Sequence, residues 1–323
     1  MQVESGLDEF LDYLKDQVEY FIVHDFKVEK QLQFVCKTKQ ELQPEPTNRE
    51  DKPVTVLIQC DFAENYTCTL QDSIQATYFS APQITVHTAC IFYNTRVIDE
   101  DNNDKIVAKC INTIGVSSVV QHNSAMVYAV QTKLVDLVKH KFKNVGKISY
   151  LSDGCAGQYK NKTNFKNLCL HQDDFDIVAD WHFFPTSHGK GPVDGIRGTF
   201  KRAASRASQR GARIYSSKEL YDWAIQAKES GHAWQDFLFY EITEQEVNAA
   251  NEEIAKRIPG LVAVPGTKSY HSFIPHDHST IEVRDYSFQP CAKVVSLSKI
   301  NSSNNNDNNN CTNKSCNKKR KAQ

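Results

Sequence analysis

The chain has 323 residues, 40% hydrophobic and 24% charged, which excludes collagen-like and wholly disordered proteins and allows one large domain with appendages, or two. No apolar run approaches the roughly 18–20 residues that span a bilayer, and the first residues lack the basic-then-apolar order of a signal peptide, so a non-membrane, non-secreted protein is expected. The net charge of −1 conceals a segregation, with seven cations against one acid from His188 to Arg213, five against one after Asn301, and acids in excess elsewhere; this favours an anionic partner.

Ser5 is a candidate helix N-cap, and Leu7, Phe10, Leu11, Leu14, Val18, Phe21 and Ile22 follow at helical spacing. A second helix is expected from about Lys27 to Leu42, before a linker marked by Pro44, Pro46 and Pro53. Short β-branched runs then predict strands over 54–60, 83–93 and 106–114. Asn123 or Ser124 can cap a helix whose apolar face runs from Met126 to Phe142. A fourth strand is expected over 147–151, a short helix over 161–171, a fifth strand over 175–184 and a basic helix over 192–209. This order predicts an α/β mixed sheet covered by helices.

Further on, helices are expected over 217–230 and 244–258, the latter with Thr243 and Glu246 as a capping box and Pro259-Gly260 as its stop. Residues 281–284 and 293–297 read as strands of a small appended element. The Asn-rich stretch after Asn301 is low in complexity and is expected to be disordered. The ten cysteines contain no C-x-x-C pair, which argues for free thiols rather than a disulfide framework, and Cys311 and Cys316 lack a histidine partner for zinc.

Three aspartates stand where chemistry can sit. Asp61 follows the first strand (VTVLIQCD), Asp153 follows the fourth (KISYLSD), and Asp194 opens the helix after the fifth. If the first and fourth strands are neighbours, their carboxylates converge and repel unless cations neutralise them. Oxygen donors of this kind suit Mg²⁺ or Mn²⁺, and two such ions about 3.5–4 Å apart can activate a water or a 3′-hydroxyl and stabilise the leaving oxygen in phosphodiester cleavage.

These placements, with the stretches CDFAENY (60–66), LSDGCAGQYKN (151–161) and WHFFPTSHGKGPVDGIRGTFKR (181–202), resemble transposon-derived proteins with the RNase H-like core of DDE-type transposases and integrases. The resemblance covers roughly residues 50–215. It implies that Asp61, Asp153 and Asp194 are catalytic and hold Mg²⁺ (or Mn²⁺), with DNA as the nucleic-acid partner. One departure is that the third acid is Asp194 where many such enzymes carry Glu, one methylene longer.

Glu64 is either a fourth ligand or a solvated turn residue. His188 is a candidate for contact with the scissile phosphate or for proton transfer, and Lys190, between two glycines, a candidate phosphate contact. Arg197, Lys201, Arg202, Arg206 and Arg210 place like charges one turn apart, which a nucleic-acid backbone would offset. His271, His276 and His278 around Asp277 read as a surface loop rather than a metal cluster, and Trp181, Phe183 and Phe184 as core. NKKRK (317–321) reads as a nuclear localisation signal.

The expected organisation is an N-terminal helical segment (1–50), an RNase H-like core (51–215), an appended helical/β element (216–300) and a basic Asn-rich tail (301–323). Three functional readings stay open: a metal-dependent polynucleotidyl transferase or nuclease; a domesticated, inactive nucleic-acid-binding or scaffold protein that keeps the fold; or an assembly module whose appended helices (217–258) recruit partners. A homo-oligomer is compatible with each.

Overall fold

The computed structural model describes residues 2–44, 53–69, 81–100, 102–185, 191–231, 233–290 and 292–298. His188, Lys190, Cys311, Cys316 and the basic tail lie outside the described residues.

The first strand, β1 (Val54–Phe62), is buried along almost its whole length, as its continuous apolar run requires. It pairs antiparallel with β3 (Gln83–Ile98) and parallel with β5 (Val145–Ser152). β3 in turn pairs antiparallel with β4 (Asp104–Ser117), and β5 parallel with β6 (Val178–Phe183). The two-residue β2 (Tyr66–Thr67) pairs with β3 beside this path. Beyond residue 216 the chain adds strands to both edges of the same sheet. β7 (Phe237–Ile242) lies parallel to β4, while β8 (Ser272–Pro275), β9 (Thr280–Arg284) and β10 (Lys293–Ser296) extend antiparallel from β6. Among the described residues the sheet runs β10-β9-β8-β6-β5-β1-β3-β4-β7.

Helices cover both faces. On one, Val56, Ile58 and Cys60 of β1 pack with α2 (Ser124–Lys141), α3 (Lys162–Cys169) and α7 (Glu244–Arg257). α4 (His171–Phe175) adjoins α3 and β6. On the other, α5 (Pro192–Gln209) lays Val193, Ile196, Phe200 and Ala204 against β3 and β4 and shares that cluster with α6 (Ser217–Glu229). The second half of α1 (Gln2–Glu41) seats Phe34 and Val35 against Leu57 and Leu151. The sheet is thus the middle layer of three.

Local chemistry explains most boundaries. The Asn123 side chain accepts from the backbone N–H groups of Ala125 and Met126, both at 3.1 Å, and starts α2. Asn161 does the same for α3 from Thr163 and Asn164. Thr243 and Glu246 form the expected capping box of α7. Trp181, Phe183 and Phe184 are core, as read from the sequence.

The structure departs from the sequence reading in several places. Ser5 lies within α1, which begins at Gln2, so it is not the N-cap, and Asp61 lies within β1 rather than after it, because the strand runs on to Phe62. The two expected N-terminal helices are one, since no glycine or proline interrupts residues 23–27. Phe175 to Ile177 are not strand: α4 runs through Phe175 and is capped by Asp176, in the left-handed region at φ 54°, and β6 starts at Val178. β7 and β8 were not expected. His271 is not in a surface loop but buried, 3.1 Å from the Phe183 carbonyl, and burial lowers its pKa to about 4; only His276 and His278 are exposed, in the β8–β9 turn held by the Asp277 carboxylate.

A candidate acidic site at the ends of parallel strands

In the β1–β5 ladder Gln59 pairs with Leu151. Parallel strands advance together, so Asp61 and Asp153, each two residues further on, emerge level at the same end of the sheet. Both line one open cavity of about 810 Å³, together with Glu64, His122, Gln158 and Arg197. The third acid stands beside the cavity rather than in its lining. Asp194 occupies the first turn of α5, where its Oδ2 accepts from the Gly191 N–H at 3.2 Å.

Arg197, one turn further along α5, ties two of the acids together. Its Nη1 donates to Asp61 Oδ2 at 2.8 Å and its Nη2 to Asp194 Oδ1 at 2.6 Å. Asp153 is held instead by its own turn, its Oδ1 accepting from the Cys155 N–H at 3.2 Å. Asp61 and Asp153 share the cavity directly, whereas Asp194 reaches Asp61 through the guanidinium. Among the described residues no three His, Cys, Asp or Glu side chains gather closely enough to hold a metal ion.

The electrostatics record crowding. Burial and then the neighbouring Asp153 push Asp61 up to about 7, more than Arg197 pulls it down. Burial also raises Asp153, against the Cys155 N–H and Arg197. An aspartate that resists ionisation near neutrality is a poor surface residue and a common functional one.

The basic helix divides in two. Arg197 and Lys201, four residues apart, turn inward, Lys201 donating to the Glu64 carbonyl at 2.9 Å. Arg202, Arg206 and Arg210 form an exposed row on the far side. Glu64 is itself exposed on the cavity rim, with its carboxylate uninvolved in the Lys201 bond.

His122 and Gln158 were not singled out from the sequence. Thr85 Oγ1 donates to the Val119 carbonyl at 2.7 Å, leaving its oxygen to accept from His122 Nε2 at 2.9 Å. This assigns the tautomer in which Nδ1 faces Gln158 Nε2, at 3.4 Å, as acceptor. Burial lowers the pKa of His122, and its ring stacks on Phe62, with centroids 4.4 Å apart. The only local signal was its position beside the Asn123 cap; its place at the cavity depends on the β4–α2 connection returning over β1.

Gly191 sets how closely α5 approaches. A Cβ there would lie 2.1 Å from the Nε2 of buried Gln59. Gly191→Ala is therefore expected to cost about 1–3 kcal/mol by overpacking and to shift the turn that carries Asp194. A urea titration checks the cost; unchanged stability would show that Gln59 can retreat.

The fold and cavity define an α/β protein with acidic side chains gathered where parallel strands end. The chain belongs to the family described as a domain of unknown function, DUF8701, whose model matches residues 31–287. No curated protein and no solved structure matches it. No described helix is long and apolar enough to cross a membrane.

Proposed function

We propose that this cavity is the active site of a DDE-type, RNase H-like polynucleotidyl transferase or nuclease acting on DNA. The observation that carries the reading is the juxtaposition of Asp61 and Asp153 at the ends of adjacent parallel strands, with Asp194 brought to them by the helix after β6. The inner strand order β4-β3-β1-β5-β6, antiparallel on one side of β1 and parallel on the other, is the arrangement expected of an RNase H-like core.

The donor chemistry fits a hard divalent cation. Asp61 and Asp153 present carboxylate oxygens to a polar cavity, and their mutual repulsion favours a positive charge between them. Mg²⁺ or Mn²⁺ bound there would activate a water or hydroxyl and neutralise charge developing on the phosphate. The chain's own groups supply the rest. Lys201 and Arg197 offer positive charge beside the cavity, and His122 Nδ1 is held as a hydrogen-bond acceptor. The exposed row Arg202, Arg206 and Arg210 would follow the backbone of a bound duplex irrespective of sequence.

One observation favours the rival reading, an inactive binding protein on the same fold. Arg197 already bridges two of the three acids, the place a cation would take. Metal binding separates the two. Calorimetric titration with Mn²⁺ is expected to show binding to the wild type and at least tenfold weaker binding to Asp153→Asn, whereas no binding to either would favour the rival.

Reversing Arg202, Arg206 and Arg210 to Glu is expected to weaken binding to all duplex sequences alike. Each lost phosphate contact should flatten the log–log salt dependence by about 0.9. Fluorescence anisotropy across a salt series measures both, and an unchanged slope would remove this row from the interface. The nuclear address read from NKKRK belongs to the same proposal.

A further inference from the structure

Every side chain described from Gly6 to Val23 of α1 is exposed, and the helix meets the body only from about Phe26, which packs edge-on against Tyr286. The family match begins at Gln31, so this arm precedes the shared domain. An arm of this kind would ordinarily be polar all round. Instead Leu7, Leu11, Leu14, Val18 and Phe21 are 43–65% exposed.

Their spacing alternates four and three residues, the seven-residue repeat of a coiled-coil seam. Phe10 and Ile22, also exposed, flank the same stripe. At 100° per residue, Asp8, Glu9, Asp12, Asp16 and Glu19 all fall on the opposite side of the helix.

We infer that this arm pairs with the same arm of a second copy of the chain. Three features select that occupant. The seven-residue repeat is self-complementary, so two identical stripes interlock. Within the arm the acids point away from the seam, so two copies approach without like charges facing there, and Asp25, the next position of the repeat, ends the apolar seam where the helix reaches the body. The area is also sufficient. Seven side chains exposing roughly 100 Å² each bury at most about 1,400 Å² over two arms, within the usual range for a stable interface. A lipid surface is a poorer match, because interfacial helices carry cations on their polar face and this one carries acids. The pairing does not depend on the chemistry proposed for the cavity.

Sedimentation equilibrium of the full chain at micromolar concentration tests it. The wild type is expected at twice the 36.7 kDa chain mass, and the variant Leu11→Glu with Val18→Glu at 36.7 kDa. Because neither side chain packs on the body, the variant's main thermal transition should be unchanged. A wild type that stays at 36.7 kDa, whether free or carried down by phosphatidylcholine vesicles, would overturn the inference. So would a double variant that remains a dimer.

Discussion

Replacing Asp61 by Asn should stabilise the metal-free protein above neutral pH. In the folded chain this carboxyl keeps its proton up to about 7, whereas the ordinary value is 3.8. Between those values the folded state binds more protons than the unfolded one, so this group's contribution to stability falls as pH rises and is lowest above pH 7. The asparagine amide is never charged and escapes that penalty. A shift of about 3 units corresponds to at most about 4 kcal/mol, and partial solvation of the site should leave a gain of about 1–3 kcal/mol at pH 8. Below pH 4 the two proteins should be nearly equal. Added Mg²⁺ should stabilise the wild type by mass action and the variant less. Thermal melts at pH 4, 6 and 8, with and without Mg²⁺, give the comparison, and a variant less stable than the wild type at pH 8 would mean that the Arg197 ion pair outweighs the crowding.

The second large effect concerns the body of the fold. Arg257, at the last turn of α7, forms a two-pronged pair with Asp174 at 2.8 and 2.9 Å, and its Nη1 also lies 3.2 Å from Asn167 Oδ1. The guanidinium sits 5.1 Å from the Tyr128 ring centroid, so one side chain joins α7, α4, α3 and α2. Its side chain is 8% exposed and that of Asp174 14%. Arg257→Met should leave the Asp174 carboxylate without its cation, with the Tyr128 hydroxyl still donating to Oδ2 at 3.0 Å, and cost about 3–5 kcal/mol. Adding Asp174→Leu should recover much of the loss, because the cost lies in the unpaired charge rather than in the missing pair. Urea midpoints of the two variants test this, and a single variant within 1 kcal/mol of wild type would show that water reaches Asp174.

Much of the inner fold could be read from the sequence because its elements announce themselves locally. The β-branched runs of β1 and β3, the Asn caps of α2 and α3, and the Gly-Pro-Val-Asp start of α5 each carry their own physical cause. The elements that were missed depend on partners. β7, FLFYEI, is only half-buried and becomes a strand by adding to the edge of β4. β8 is four residues long and pairs with β6 and β9, elements that bracket it in space rather than in local pattern.

The same division applies to the site. The three aspartates could be found because strand ends and helix starts place them. Arg197 read as one member of a basic stripe, because its separation of 136 residues from Asp61 hides their 2.8 Å contact. His122 was hidden for the same reason. The charge that seemed directed outward is in part the counter-charge of the cavity.

The most direct test is nicking of supercoiled plasmid DNA by the purified chain, with wild type and Asp153→Asn compared in Mg²⁺, Mn²⁺ and EDTA. The account predicts metal-dependent nicking by the wild type and a loss of at least a hundredfold in the variant, with duplex binding retained through Arg202, Arg206 and Arg210. Wild type that binds DNA without nicking it in either metal would contradict the catalytic reading and leave Arg197 as the permanent occupant of the acidic cavity.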